Sequence, residues 1–229
     1  MKSFVVFFVI LLSGAYGALQ AQGYRAELGA MGGLSSYMGD ANAKFMHNSE
    51  PALSLVGRYH INQRFSLKAD LGYAAISGNT IGRSELYPNG KEISFHNNLL
   101  DATCQMEFNF YEYGAPDYKP GSSRISPYVT AGIGMLLFEK GEQWKTTACM
   151  PIGIGIKYKT PFRVNIGLEL SYRMSLSDQL DNEASSADFQ LDTPWMGQSA
   201  WNKNNDHFAE LKCFITYDLW YIGSNCYKE

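Results

Sequence analysis

Beyond its first dozen residues the chain has no long apolar run. Nothing after Tyr24 approaches the ~20 consecutive apolar residues of a spanning helix, and no stretch reads as a convincing helix. That lack excludes a helical membrane protein but not a membrane barrel, whose apolar residues fill only every second position. A basic excess is also missing. The 19 Lys and Arg face 22 Asp and Glu, so the chain has no electrostatic footprint for nucleic acid, and none is expected as a partner. Histidine is scarce, with His47, His60, His96 and His207 making up the four. His60 falls in a short turn at the opposite end from the others, and His96 and His207 take the apolar phase near strand ends. No local spacing brings Ser, His and Asp within hydrogen-bond reach, and no Cys/His pair has ligand-like spacing. An enzyme, a metal centre and a cofactor are therefore not expected.

What is present begins with MKSFVVFFVILLSGAYGALQAQ. One Lys, an apolar run from Phe4 to Leu12 and small residues before a cut after Ala21 make residues 1–21 a secretory signal peptide. The run is short for a membrane anchor, and no Cys follows it for lipid attachment. The remainder reads as one barrel over 22–221 with a tail over 222–229.

Eight segments alternate with period two, the spacing of a strand with one apolar and one polar face. They are YRAELGAM, ALSLVGRY, FSLKADLGYAA, NLLDATCQMEFNF, PYVTAGIGMLLF, MPIGIGIKYK, PFRVNIGLELSYRM and FAELKCFITYDLWY. The connections alternate as well. His60–Arg64 and Lys159–Arg163 are tight and Tyr111–Arg124 is moderate, whereas Leu34–Glu50, Ser77–Ser94, Glu139–Ala148 and Ser175–Asp206 read as long polar loops. Short turns at one end and long loops at the other are the habit of outer-membrane barrels, with the termini and short turns in the periplasm. The fold expected is all-β, an eight-stranded antiparallel transmembrane barrel in the outer membrane.

The polar phase carries Arg25, Arg58, Lys68, Lys157, Arg173 and Lys212 together with Glu27, Asp70, Asp101, Glu107, Glu169 and Glu210. In a soluble lipocalin-like barrel these would lie in water around an apolar pocket, where pairing gains little. In a membrane barrel they face a lumen narrow enough for side chains to fill, and must neutralise one another there. Gly72, Gly132, Gly134, Gly153, Gly155 and Gly167 share that phase and would make room for the long charged chains. On the apolar phase Tyr24, Tyr59, Tyr158 and Tyr217 near the short-turn ends, with Tyr73 and Tyr172 near the long-loop ends, resemble two aromatic girdles. Both features favour the membrane barrel with its filled lumen.

Four cysteines complete the inventory. Cys104 and Cys213 take the lipid-facing phase on separate strands, Cys149 stands where the sixth strand meets an outside loop, and Cys226 lies in the tail. Bridged Cα atoms sit within ~7 Å, so no internal disulfide is expected. Cys226 is left as a candidate for an intermolecular disulfide.

The pieces GAMGGLSSYMGD, PYVTAGIGML and PIGIGIKYKTPFRVNIGLELSYRMSLSDQLDN stand in an order similar to that of the PorG family, outer-membrane barrels of the type IX secretion system of Bacteroidetes. The similarity runs from Tyr24 to Tyr221 and rests on framework motifs. It implies a component of a secretion machine that ties a periplasmic ring of the lipoprotein PorK and the protein PorN to the outer membrane. The surface implied for that contact is His60–Arg64, Tyr111–Arg124, Lys159–Arg163 and Ile222–Glu229, with Arg64, Tyr118, Lys119, Lys159, Asn225, Cys226 and Tyr227 as candidate contact residues. Two rivals stay open: an adhesive or structural outer-membrane barrel with no part in secretion, and a barrel enzyme acting on lipid or peptide.

Overall fold

A computed structural model describes residues 26–38, 49–79, 94–114, 121–140, 143–175 and 207–219. Eight strands follow in chain order: β1 (Ala26–Met38), β2 (Glu50–His60), β3 (Phe65–Asn79), β4 (Ser94–Asn109), β5 (Ile125–Lys140), β6 (Gln143–Lys159), β7 (Val164–Ser175) and β8 (His207–Asp218). Each pairs antiparallel with the next. β1 also pairs with β8, through registers such as Ala30↔Ile215 and Leu34↔Leu211, so the sheet closes into a barrel with no free edge.

The alternation decides which residues look outward. Leu53, Leu55, Leu71, Met106, Ile133, Ile154 and Ile215 stand exposed on the outer wall, Leu55 at 63% and Ile133 at 71%. Their neighbours Ser54, Asp70, Glu107 and Thr216 are buried. A barrel with its apolar face on the outside and its charges within is a membrane barrel turned for lipid, and the lipocalin-like alternative falls on this point. Tyr59, Tyr158 and Tyr217 lie exposed on the outer wall near the short-turn end, and Tyr73 near the other. Tyr24 lies outside the described residues.

The short turns have local causes. In Ile61–Arg64 the Asn62 side chain accepts hydrogen bonds from the backbone N–H of Arg64 and of Phe65, at 2.8 and 2.7 Å, an Asx-type closure. In Thr160–Arg163 the Thr160 backbone N–H and hydroxyl both donate to the carbonyl of Val164, at 2.9 and 2.7 Å. At the opposite end one expectation fails. Glu139–Ala148 is not a long loop, because β5 runs to Lys140 and β6 starts at Gln143, and the two pair as far as Lys140↔Gln143. Its Lys, Gln and Thr residues read as loop by polarity, yet the strands carry their ladder past the apolar wall. Cys149 accordingly sits within β6 and is buried, not at a loop junction.

The interior is layered. At the long-loop end Tyr37, Ile76, Leu99, Leu136, Phe138 and Phe208 form a buried apolar stopper that the alternation pattern did not announce. Deeper lie two charged layers. Between them come Met31, Val56, Tyr128 and Phe214, with Val56 following Ser54 and preceding Arg58 along the inner face of β2. The inward glycines serve these rings and short side chains more than the long cations. A Cβ on Gly155 would lie 2.5 Å from the Tyr128 ring, one on Gly167 2.4 Å from the Phe214 ring, and one on Gly72 2.2 Å from the Asp101 carboxylate.

Candidate functional site

The buried charges form ties that run across the lumen. In the layer nearer the long loops, the Arg173 guanidinium on β7 donates to Asp101 on β4 and, at 2.7 Å, to Glu210 on β8, with Asp70 of β3 at 3.5 Å. Lys212 lies 3.0 Å from Glu210 and 3.5 Å from Asp70, and donates to the Ser54 hydroxyl at 3.2 Å. In the other layer Arg58 donates through Nε to Glu107 at 3.0 Å and stands 3.7 Å from Glu27, its guanidinium carbon 4.3 Å from the Phe214 ring centroid. Lys157 donates to the other oxygen of Glu107. Lys68 of β3 reaches Glu169 of β7 at 2.5 Å, and the Tyr128 hydroxyl donates to the second oxygen of Glu169 at 2.6 Å.

All twelve lumen residues expected from the alternation except Arg25, which lies outside the described residues, are placed in this network. Burying a charge is costly unless it is paired and hydrogen-bonded. The strand periodicity puts every one of these groups on the inner phase, and closure of the sheet brings opposite signs from non-adjacent strands together.

Three further titratable groups extend the network toward the short turns. His60 ends β2 with its ring inside the barrel, joined to Ser66 and to Glu27 at 2.7 Å each. Lys159 is buried with Nζ 2.8 Å from Asp218, which also accepts from the Asn165 amide at 2.8 Å. Lys159 therefore corrects an expectation: its side chain turns into the lumen and does not present itself on the turn surface. Continuing the alternation by one step in β6 and in β8 finds Lys159 and Asp218. His60 reads from the sequence as a turn residue, yet it holds the inner phase two residues after Arg58.

Tyr113 closes the short-turn end. Its segment pairs with Ser123 and folds its ring under the barrel mouth, where the hydroxyl donates to Asn165 at 2.8 Å. The Nζ atoms of Lys157 and Lys159 stand 4.3 and 5.2 Å from the ring centroid. Burial, and then the nearby Glu27 carboxylate, hold the Tyr113 phenol well above the ordinary tyrosine range, so it remains a neutral donor. No spacing rule marks Tyr113, because only the return of its own loop places it there.

With both mouths stoppered, the accessible surfaces are the outer wall and the two rims. Arg64, a candidate contact residue, is exposed on the short-turn rim, 3.7 Å from Glu112. Tyr118, Lys119, Asn225, Cys226 and Tyr227 lie outside the described residues. Cys104 and Cys213 are exposed on the outer wall, as their phase requires. His96 is also outward and stands 3.7 Å from Glu50, and His207 packs on the Tyr172 ring at 5.5 Å. Among the described residues no group of His, Cys, Asp and Glu is placed to hold a metal ion.

The family model for a domain of unknown function, DUF6089, matches residues 1–217. The chain belongs to this family. The comparison with curated proteins gives no match. Among solved structures the DUF6089 chain is similar to Neisserial surface protein A (NspA), at 14% identity and a TM-score of 0.49 over 85% of this chain and 97% of that one. It is also similar to the N-terminal β-barrel domain of Pseudomonas aeruginosa OprF, at 13% identity and a TM-score of 0.45 over 86% of this chain and 100% of that one. A third is the outer membrane protein OprG from Pseudomonas aeruginosa, at 10% identity and a TM-score of 0.44, covering 86% and 96%.

Proposed function

We propose that this protein is a non-enzymatic outer-membrane barrel of the type IX secretion machinery, and that it anchors a periplasmic ring of PorK and PorN to the membrane. The reading joins the family resemblance in the barrel's framework strands to one physical observation: the lumen is filled with mutually paired charges between two stoppers. Such a barrel spends its interior on holding its own shape. What it offers is a fixed position in the bilayer and two rims, and the short-turn rim would face the periplasm. An anchor needs those attributes and no more.

The test is recovery and export together. A tagged copy solubilised in mild detergent should bring down PorK and PorN, and deletion of the gene should abolish export of cargo carrying a C-terminal secretion signal. Normal export in the deletion strain, with no ring protein recovered, would sink the proposal. If surface adhesion were lost instead, the adhesive barrel would take its place.

A further inference from the structure

The β6–β7 turn carries two features with no evident role in the barrel. Phe162 is 80% exposed, more than any other large apolar side chain among the described residues. Beside it Arg163 has φ of 63°, the only positive value among the described non-glycine residues, at a hairpin position that glycine ordinarily fills. That conformation is strained for an L side chain, and such strain clusters where a site is built.

The turn is braced against its strain. The Phe162 backbone N–H donates to the Thr160 hydroxyl at 3.3 Å. Arg163 accepts through its carbonyl from the Asp218 N–H at 2.9 Å and returns an Nη2 donation to the Asp218 carbonyl at 2.9 Å. Its guanidinium carbon lies 5.1 Å from the Tyr217 ring. Tyr217 belongs to the aromatic girdle, so a fixed cation stands beside that girdle, one residue along the chain from Phe162.

Phe162 also has company. Every described connection at this end, and the residue following β8, carries an exposed apolar side chain: Ile61, Tyr111, Phe162 and Leu219. Ile61 and Leu219 lie two residues nearer the end than girdle residues Tyr59 and Tyr217, and Phe162 four beyond Tyr158. The charged residues described on this rim are Arg64, Glu112, Arg124 and Arg163, cationic on balance. An apolar crown outside the girdle, rimmed by arginines, suits a protein surface with an apolar pocket and acidic margin.

We infer that the Thr160–Arg163 hairpin is the principal docking element of the short-turn rim, inserting Phe162 into an acid-rimmed apolar pocket of a periplasmic protein. The inference rests on the anchor reading and takes the ring lipoprotein as the occupant. A buried aromatic anchor at the centre of a contact carries much of its binding energy.

The experiment uses the full-length protein in its own outer membrane, with a photo-reactive phenylalanine at position 162 and a control at Leu55 on the lipid face. Position 162 should cross-link to PorK, and Leu55 to lipid. In parallel, recovery of the ring with Phe162→Ala should fall at least tenfold, whereas Leu67→Ala, exposed on the outer wall opposite girdle residue Tyr59, should leave it unchanged. Heat-modifiable gel migration confirms that each variant is folded. If wild type recovers the ring and Phe162→Ala recovers it equally, or if position 162 labels only lipid, the docking role is overturned while the anchor reading stands. If wild type recovers no ring protein, the anchor reading fails and the docking role fails with it.

Discussion

At the scale of single residues, the lumen behaves as a set of buried charges each dependent on its partner. Glu107 receives both Arg58 and Lys157, all three fully enclosed. Glu107→Gln keeps the shape, takes the carboxylate from Lys157 and leaves Arg58 only Glu27 at 3.7 Å, so it should lower stability by about 3–5 kcal/mol, read as a lower urea midpoint in detergent micelles. An unchanged midpoint would mean that water, not the carboxylate, neutralises those bases. Lys68 and Glu169 offer the complementary measurement. The loss in Lys68→Met with Glu169→Leu should be smaller than the summed single losses by about 0.5–3 kcal/mol, because each single change leaves an orphan charge. Additive losses would show that the 2.5 Å contact carries no coupling. Glycine supplies a third test. A Cβ at Gly132 would lie 2.1 Å from the Cys104 carbonyl oxygen, whereas at Gly57 the nearest atom is 3.9 Å away. Gly132→Ala should therefore destabilise the barrel by ~1–3 kcal/mol or more and Gly57→Ala should not, as refolding yields on unheated gels would show.

At the scale of elements, the strands were legible because period two persists along each of them, and a one-residue slip would send an entire charged row to the outer wall. The tight turns were legible as the short gaps His60–Arg64 and Lys159–Arg163 between alternating segments. The β5–β6 connection was not. Glu139–Ala148 has the polarity of a loop, and nothing in that composition tells a solvated loop from a hairpin standing beyond the wall. Pairing of Phe138 with Lys145 and of Lys140 with Gln143 decides it. A protease cleaves chain that is free of its ladder, so trypsin applied to intact cells should spare Lys145. Rapid cutting there would restore the loop.

For the whole molecule, closure of the sheet is what converts eleven of the alternating charged residues into a network. Arg173 and Asp101 are far apart in sequence and on non-adjacent strands; they meet only because β7 and β4 curve around a common axis. The two stoppers have the same origin, since Tyr37, Phe138 and Phe208 come from three strands and Tyr113 from a returning loop. A lumen filled along its length should conduct no ions. Planar bilayers containing the protein should show no unitary steps, and Tyr113→Ala should remain closed, because the charged layers still block the path. Discrete openings in the wild type would refute the filled interior. Openings only in the variant would make Tyr113 the sole barrier.

The chain by itself determined the strands, their number and which residues share a face, because alternation is a local property written into each segment. It also assembled nearly the whole cast of the lumen, short of His60, Lys159 and Asp218, which the same rule reaches when carried to the strand ends. The paired charges of the polar phase and the two tyrosine girdles also pointed the apolar phase outward, as the structure has it. Only the tertiary structure decided which acid meets which base, and that aromatic rings occupy the spaces the glycines leave. Those outcomes depend on the closure and curvature of the sheet, which bring residues remote in sequence within a few ångströms. No periodicity in one segment encodes what the opposite wall places across from it.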